Sequence, residues 1–596
     1  MPRLSDPAAA ESLTAYCGGR RISGMRHVSL LVLALLCGCA KRPTSNPPDA
    51  SALDANVAST LVVRLAQNRL DVVNGVAATA TFEVFMQTPD GLQTNVTSTS
   101  DCGVVPAQLG SAGGGVLTAT GARGGNGTLN VQYLGLSAQV PFTVHINAQL
   151  PGTADPSVVA LFAAATLDSS AMITIAYPPA AAVIPPNLGE MEVHWIDAVN
   201  HDVYQLAFES EFVQLTTYVN RLGTNNYNVL TPAQWALLGT GAPGAGTVRV
   251  RGLATAAPLT YAQQEQAITI ASSEVKGGIY FWNTNEAAIM RYDMSAQTTP
   301  PARFYPATAG ECVGCHAVSR DGTVVAYRQG GGNMNYGNSL KVEGLQKQIA
   351  QDSVRWNFAA IHPNNTDMFI TTEAGMSRVD LPTGVTSDLY ATTRVAQPDV
   401  SPDGKTIVAV EVRGGSEVYS TNGRIIALDY DATAKTVGAA RVVAEPAAGA
   451  HLFYPSISPD GQWVLYNQAT GGTSYDNPQA QLWVTKLDGS VAPIRLSQVD
   501  MPASYNSWPK WTPFAAQETS TTPTGEPIMW FTFASRRPFG VRSPGNQKPQ
   551  LWMAPFFPSR DAASQNIAAG AIRLPFQNLA QGNHIAQWTE AIVAVD

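Results

Sequence analysis

Cys312-Val313-Gly314-Cys315-His316 places two thiols three positions apart, with an imidazole directly after the second. Two thiols at that spacing can add across the two vinyl groups of a porphyrin, and the adjoining imidazole can then reach the iron. From the composition of this 596-residue chain, such a CxxCH run arises by chance roughly once in a thousand. Three other chemistries stay open for the pair. One is a Cys312–Cys315 disulfide. A zinc site needs four ligands, and the remaining thiols of an exported chain, Cys39 and Cys102, lie far off in sequence. A thioredoxin-like redox pair wants a helix starting at the first Cys, and PARFYPATAGECVGCHAVSRDG shows no helical period. There is no GxSxG elbow, no HExxH and no C2H2 spacing, so a catalyst built here would have to use the haem itself.

The elements that must hold this motif repeat along the chain. Ser319-Arg320-Asp321-Gly322, Ser401-Pro402-Asp403-Gly404 and Ser458-Pro459-Asp460-Gly461 each precede an apolar strand (TVVAY, TIVAVEV and WVLYN). An Asp-Gly pair supplies the positive φ that a tight hairpin needs. His362-Pro363-Asn364-Asn365 before MFITT is a degenerate copy, and Trp511-Thr512-Pro513 before IMWFTF is another. A spacing of about 40 residues or more, with one hairpin signal per unit, is that of propeller blades. GIYFW at Gly278–Trp282 lacks a preceding turn, and AQWT at Ala586–Thr589 lacks a following strand; together they complete one blade, which makes six. These units resemble the WD-like repeats of TolB-type propellers, in which the SxDG turn follows the innermost strand of a blade. The resemblance implies the fold, not the Tol partners. Ordinary cytochromes c open a small helical domain with CxxCH, whereas here the motif runs into a blade turn. The haem would then hang over the central funnel.

Register within the repeat suggests a second axial ligand. Superposing Ser319 on Ser458 places Cys312 on His451, and superposing Trp511-Thr512 on Trp588-Thr589 puts His584 at a similar strand entry. Either imidazole would give a bis-His, low-spin electron-transfer haem. Met334 in GGGNMNYGN is a candidate of another type, and each of the three also reads as a plain polar loop residue. His362 occupies the turn serine's place and should point away from the funnel. Arg536, Arg537 and Arg542 in SRRPFGVR could pair with haem propionates or form a solvated face.

Upstream, TLVVRL, TATFEVFM, TLNVQYL and AQVPFTVHI alternate with period two. GGGVLTATGARGGNGTLNVQYLG resembles the second half of a bacterial Ig-like domain, which implies a β-sandwich spacer over residues 57–147. Residues 148–273 read as a second sandwich, with Trp195 in its core and His194 and His201 structural or on the surface. Cys102 reads as a small buried thiol.

Arg20, Arg21 and Arg26 precede the apolar run VSLLVLALL (Val28–Leu36), the order of a secretory signal. Leu36-Cys37-Gly38-Cys39 resembles a bacterial lipobox, implying cleavage before Cys39 and lipid on its thiol. Residues 1–38 are then the signal peptide and 39–56 a Pro/Ser/Asn-rich tether. Charged residues make up only 13%, and the net charge of −8 argues against a nucleic-acid binder. With this single short apolar run, a polytopic membrane protein is excluded.

The sequence thus predicts an all-β chain with two Ig-like β-sandwich domains followed by a six-bladed β-propeller over 274–596. One covalent haem c is expected on Cys312, Cys315 and His316, in an outer-membrane lipoprotein. Its expected role is electron transfer or redox sensing in the cell envelope, with another envelope redox protein as partner and no nucleic acid. A carrier fits better than an enzyme, although a haem oxidoreductase with an open sixth position stays available. The alternative is a non-catalytic envelope or adhesion scaffold closed by a Cys312–Cys315 disulfide.

Overall fold

In the computed structural model, residues 59–223, 225–241, 243–296, 300–305, 313–329, 337–341, 356–515, 525–545, 547–564 and 566–592 are described. Cys39, Cys312 and Met334 lie outside them, as do the signal and tether segments. The described chain is all-β apart from short helices, chiefly Val158–Ala164 and Pro232–Gly241.

Period-two alternation builds the N-terminal sheets. Along β1 (Leu136–Gln149), Phe142, Val144 and Ile146 are buried while their neighbours are less so. β1 lies parallel to β2 (Val213–Asn220), with Ile146 opposite Val213. A single ten-stranded sheet therefore continues across residue 147, from the first expected sandwich into the second. Trp195 is fully buried, as its apolar surroundings suggested.

From Gly278 onward the described residues form six successive antiparallel sheets of three to five strands. In the first, β3 (Gly278–Asn283) pairs with the last described strand, Asn583–Thr589, so the two ends of this region share one sheet. The edge strands facing inward are β4 (Val313–Val318), β5 (Phe358–Ile361), β6 (Val395–Val400), β7 (Ala450–Ile457), β8 (Ser507–Trp511) and β9 (Asn583–Thr589). Each touches the next, and β9 touches β4, so they close a cycle. This is the arrangement of a β-propeller.

The turns behave as their sequence requires. In Ser319–Gly322 the Ser319 hydroxyl donates to Asp321 (2.7 Å) and accepts from the Val324 N–H (2.9 Å). Ser401 and Ser458 repeat both bonds within their own turns. At the degenerate turn the His362 imidazole stands in for the hydroxyl, accepting from the Asn364 N–H at 3.1 Å. Its other nitrogen donates to the Gly404 carbonyl at 3.0 Å, so the side chain is committed to the neighbouring turn. Gly404 has φ of 73°, and a Cβ there would lie 2.3 Å from the His362 ring.

Candidate funnel site

The inward strands other than β5 share an irregularity that shapes the channel. Pairing slips between Gly314 and His316 in β4, Ala396 and Asp399 in β6, Phe453 and Ser456 in β7, and Ser507 and Lys510 in β8. Gln397, Tyr454, Trp508 and Ile585 take positive φ there. In three of the strands Pro follows: Pro398, Pro455 and Pro509. A bulge of this kind re-aims side chains, and Pro is tolerated because its missing N–H falls where the ladder is broken. Cys315 and His316 occupy the same register as these x-Pro pairs, four and three residues before the turn residue.

The structure therefore brings Cys315 and His316 to one cavity on the channel axis, walled by Trp356, Phe358, Tyr454 and Trp508. Tyr454 stacks on Trp508 with ring centroids 4.1 Å apart. The cavity is small, about 30 Å³. Lys510 closes one side, its Nζ 2.9 Å from Asp399 Oδ1. A second cavity shares Ala359, Lys510 and Gln587 with the first and continues along the channel.

His316 is buried, and burial holds its pKa down to about 4, so the ring is neutral. Its Nε2 lies 3.4 Å from the Tyr280 carbonyl, which can only accept, so the proton sits on Nε2. The Nδ1 lone pair is buried with no hydrogen-bond partner. Burial also raises the Tyr454 phenol well above its usual range, with the nearby Cys315 adding to the shift.

The other expected ligands are not brought here. His451 is buried in β7, stacked on Phe453 (5.1 Å) with Nε2 unpartnered, and it does not line the Cys315–His316 cavity. His584 lies in β9 opposite Trp282, and its Nε2 meets Ser507 Oγ at 3.3 Å. It faces a different cleft, and burial lowers its pKa to about 4. Neither imidazole lines the cavity that holds Cys315 and His316. Both lie on the N-terminal side of the pairing slip in their own strands.

The basic loop is also committed to the protein. Arg536 pairs with Asp476 (2.8 Å), Arg537 is buried against Phe533, and Arg542 donates to both Glu192 oxygens at 2.8 Å. Glu192 also holds buried His194 at 2.8 Å, and Asp197 holds His201 at 2.9 Å, so both histidines are structural. Among the described residues, no group of three or more His, Cys, Asp and Glu is placed to hold a metal ion. Sequence reading missed Tyr454, Trp508 and the Lys510–Asp399 pair. Their signal was the x-Pro pair recurring at a fixed distance before the turns.

No family model matches the chain, and no curated protein matches it. Solved structures that resemble it include TolB from Acinetobacter baumannii, at 12% identity and a TM-score of 0.34, covering 74% of this chain and 96% of that one. A putative 6-phosphogluconolactonase from Bacteroides uniformis shows 14% identity and a TM-score of 0.31, covering 50% and 81%. A quinonprotein alcohol dehydrogenase-like protein from Bacteroides thetaiotaomicron shows 7% identity and a TM-score of 0.28, covering 70% and 99%. The chain thus has structural similarity to TolB-like and other β-propeller proteins.

Proposed function

We propose that this chain is an exported, lipid-anchored envelope protein whose six-bladed propeller carries one covalent haem c, for electron transfer or redox sensing. The observation behind the reading is the joint placement of Cys315 and His316 on the wall of one axial cavity, with the His316 Nδ1 buried and unsatisfied. A buried imidazole lone pair with no donor is costly, and a metal would satisfy it.

The donor types fit the group: Cys315, with Cys312, would supply the two thioether links and His316 the axial nitrogen. The cavity itself, about 30 Å³, lies far below the range of ligand pockets and does not fit a macrocycle as it stands. When bound, the haem would supply a one-electron couple. The chain's own contributions are positional. Trp356, Phe358, Tyr454 and Trp508 wall the cavity with rings, and the Lys510–Asp399 pair closes one side. Cys39 would anchor the chain, with the N-terminal sandwiches, Ig-like in this reading, as spacers and another envelope redox protein as partner.

Expression in a host with a periplasmic haem-attachment system tests the reading through the visible spectrum. A sharp Soret band that survives denaturation and acid-acetone extraction supports it; a colourless protein removes it. The small size of the cavity favours a second reading, an envelope interaction scaffold in which Cys312 and Cys315 form a disulfide. That version predicts a colourless protein and the loss of two thiols on oxidation.

A further inference from the structure

Apart from the two channel cavities, a cleft of about 400 Å³, the size of a small-ligand site, opens where three successive sheets meet. Trp282 and His584 reach it as cross-strand neighbours on β3 and β9. Arg536 follows the strand Met529–Ser535, Lys548 precedes Gln550–Phe556, and Tyr475 and Asp476 lie between Trp463–Thr470 and Gln481–Lys486.

Its side chains combine two aromatic rings with charged and neutral hydrogen-bonding groups. Asp476 fixes Arg536 at 2.8 Å, and the Arg536 guanidinium also lies 4.9 Å from the Tyr505 ring centroid. Ser507 holds the His584 imidazole at 3.3 Å, which orients a neutral ring able to donate or accept. The Trp282 indole N–H is buried and has no partner. Tyr475 is exposed, with its ring set edge-on to Tyr419 at 5.7 Å. Lys548 is exposed and makes no ion pair among the described residues. With Arg536 neutralised by Asp476, Lys548 leaves the cleft with one uncompensated positive charge.

Aromatic side chains offer flat apolar area alongside a polar edge, which suits a ring whose C–H face is apolar and whose rim carries hydroxyls. An unpaired ammonium adds a charge-assisted bond to a carboxylate. We infer that this cleft binds an acidic sugar, its ring against Tyr475 and Trp282 and its carboxylate on Lys548. The inference does not rest on the haem reading, because neither Cys315 nor His316 lines this cleft.

Calorimetric titration of the exported chain with glucuronate, and with glucose as the uncharged control, tests it. Glucuronate should bind at least about tenfold more tightly than glucose, a difference of one ion-paired contact. Lys548→Ala should abolish that preference, and Tyr475→Ala should weaken both sugars. Both positions are exposed, so thermal unfolding should be unchanged and folding is not in question. Equal binding of the two sugars overturns the assignment. So does an absence of heat and of saturation-transfer NMR signal from both, or variants that bind glucuronate as the parent does.

Discussion

Lys510 and Asp399 meet at 2.9 Å although they belong to β8 and β6, strands separated in the ring by β7. The pair bridges over β7, and the other Asp399 oxygen accepts the Ile457 N–H of that intervening strand at 2.7 Å. Three sheets are thereby tied at one level. Both side chains are about one-fifth exposed, so the pair is neither fully screened nor fully buried. A double-mutant cycle with Lys510→Met and Asp399→Asn should give a coupling of about 1 kcal/mol. Strict additivity would show that the pair contributes nothing to ring closure.

Gly404 should tolerate no side chain. Its positive φ and the His362 ring 2.3 Å from a would-be Cβ both act against Gly404→Ala. A loss of roughly 2–4 kcal/mol is expected in denaturant unfolding, combining backbone strain with overpacking. Adding His362→Ala should recover the steric part only. An unchanged midpoint for Gly404→Ala would contradict the packing of these two turns.

Asp367 is fully buried and gathers Arg378, Lys435 (2.8 Å), Tyr430 (3.1 Å) and Asn364 (3.0 Å). These partners outweigh its desolvation and hold its pKa at about 2, below its unfolded value of ~3.9. Its contribution is complete above the unfolded value and is lost as pH falls from there through about 2. Asp367→Asn should cost about 3–5 kcal/mol, because it leaves cations without their counter-charge. Urea midpoints at neutral pH and at pH ~2 check this, since the gap between parent and variant should shrink in acid.

Two histidines set a different pH window. Burial holds His316 and His584 down to about 4 in the folded chain, against ~6.5 when unfolded. The unfolded state takes up these protons first, so stability is complete above pH ~6.5 and declines until the folded values are reached near pH 4. For haem-free protein, Tm measured from pH 7 to 4.5 should fall, and His316→Phe should flatten the fall. Identical slopes for parent and variant would remove His316 as the cause.

Much of the inward architecture was legible in the sequence because turns constrain residues strongly. Ser-x-Asp-Gly needs a hydroxyl, a carboxylate and a positive φ at fixed positions, and the three copies make the same bonds. The shared first sheet was also readable, since GIYFW and AQWT each lacked a partner and pair with one another. The cavity walls were harder to read, because a bulge breaks period-two alternation and the side of Tyr454 or Trp508 cannot be deduced by counting. The helix at Pro232–Gly241 carried a signal that went unused. Thr231 and Gln234 form a reciprocal cap, each side chain bonding the other's N–H, with Pro at the first helical position. The parallel pairing of β1 with β2 has no local sequence signature, since it joins strands some 70 residues apart.

The most direct test of the central claim is the mass of the proteolytic peptide spanning Cys312 to His316, from protein matured in a haem-attaching periplasm. The account predicts a gain of one haem that persists after reduction and unfolding, and its loss from that peptide when Cys312 and Cys315 are both changed to Ser. A peptide of unmodified mass, or one two hydrogens lighter that regains them on reduction, would contradict the haem reading and leave the disulfide-closed scaffold.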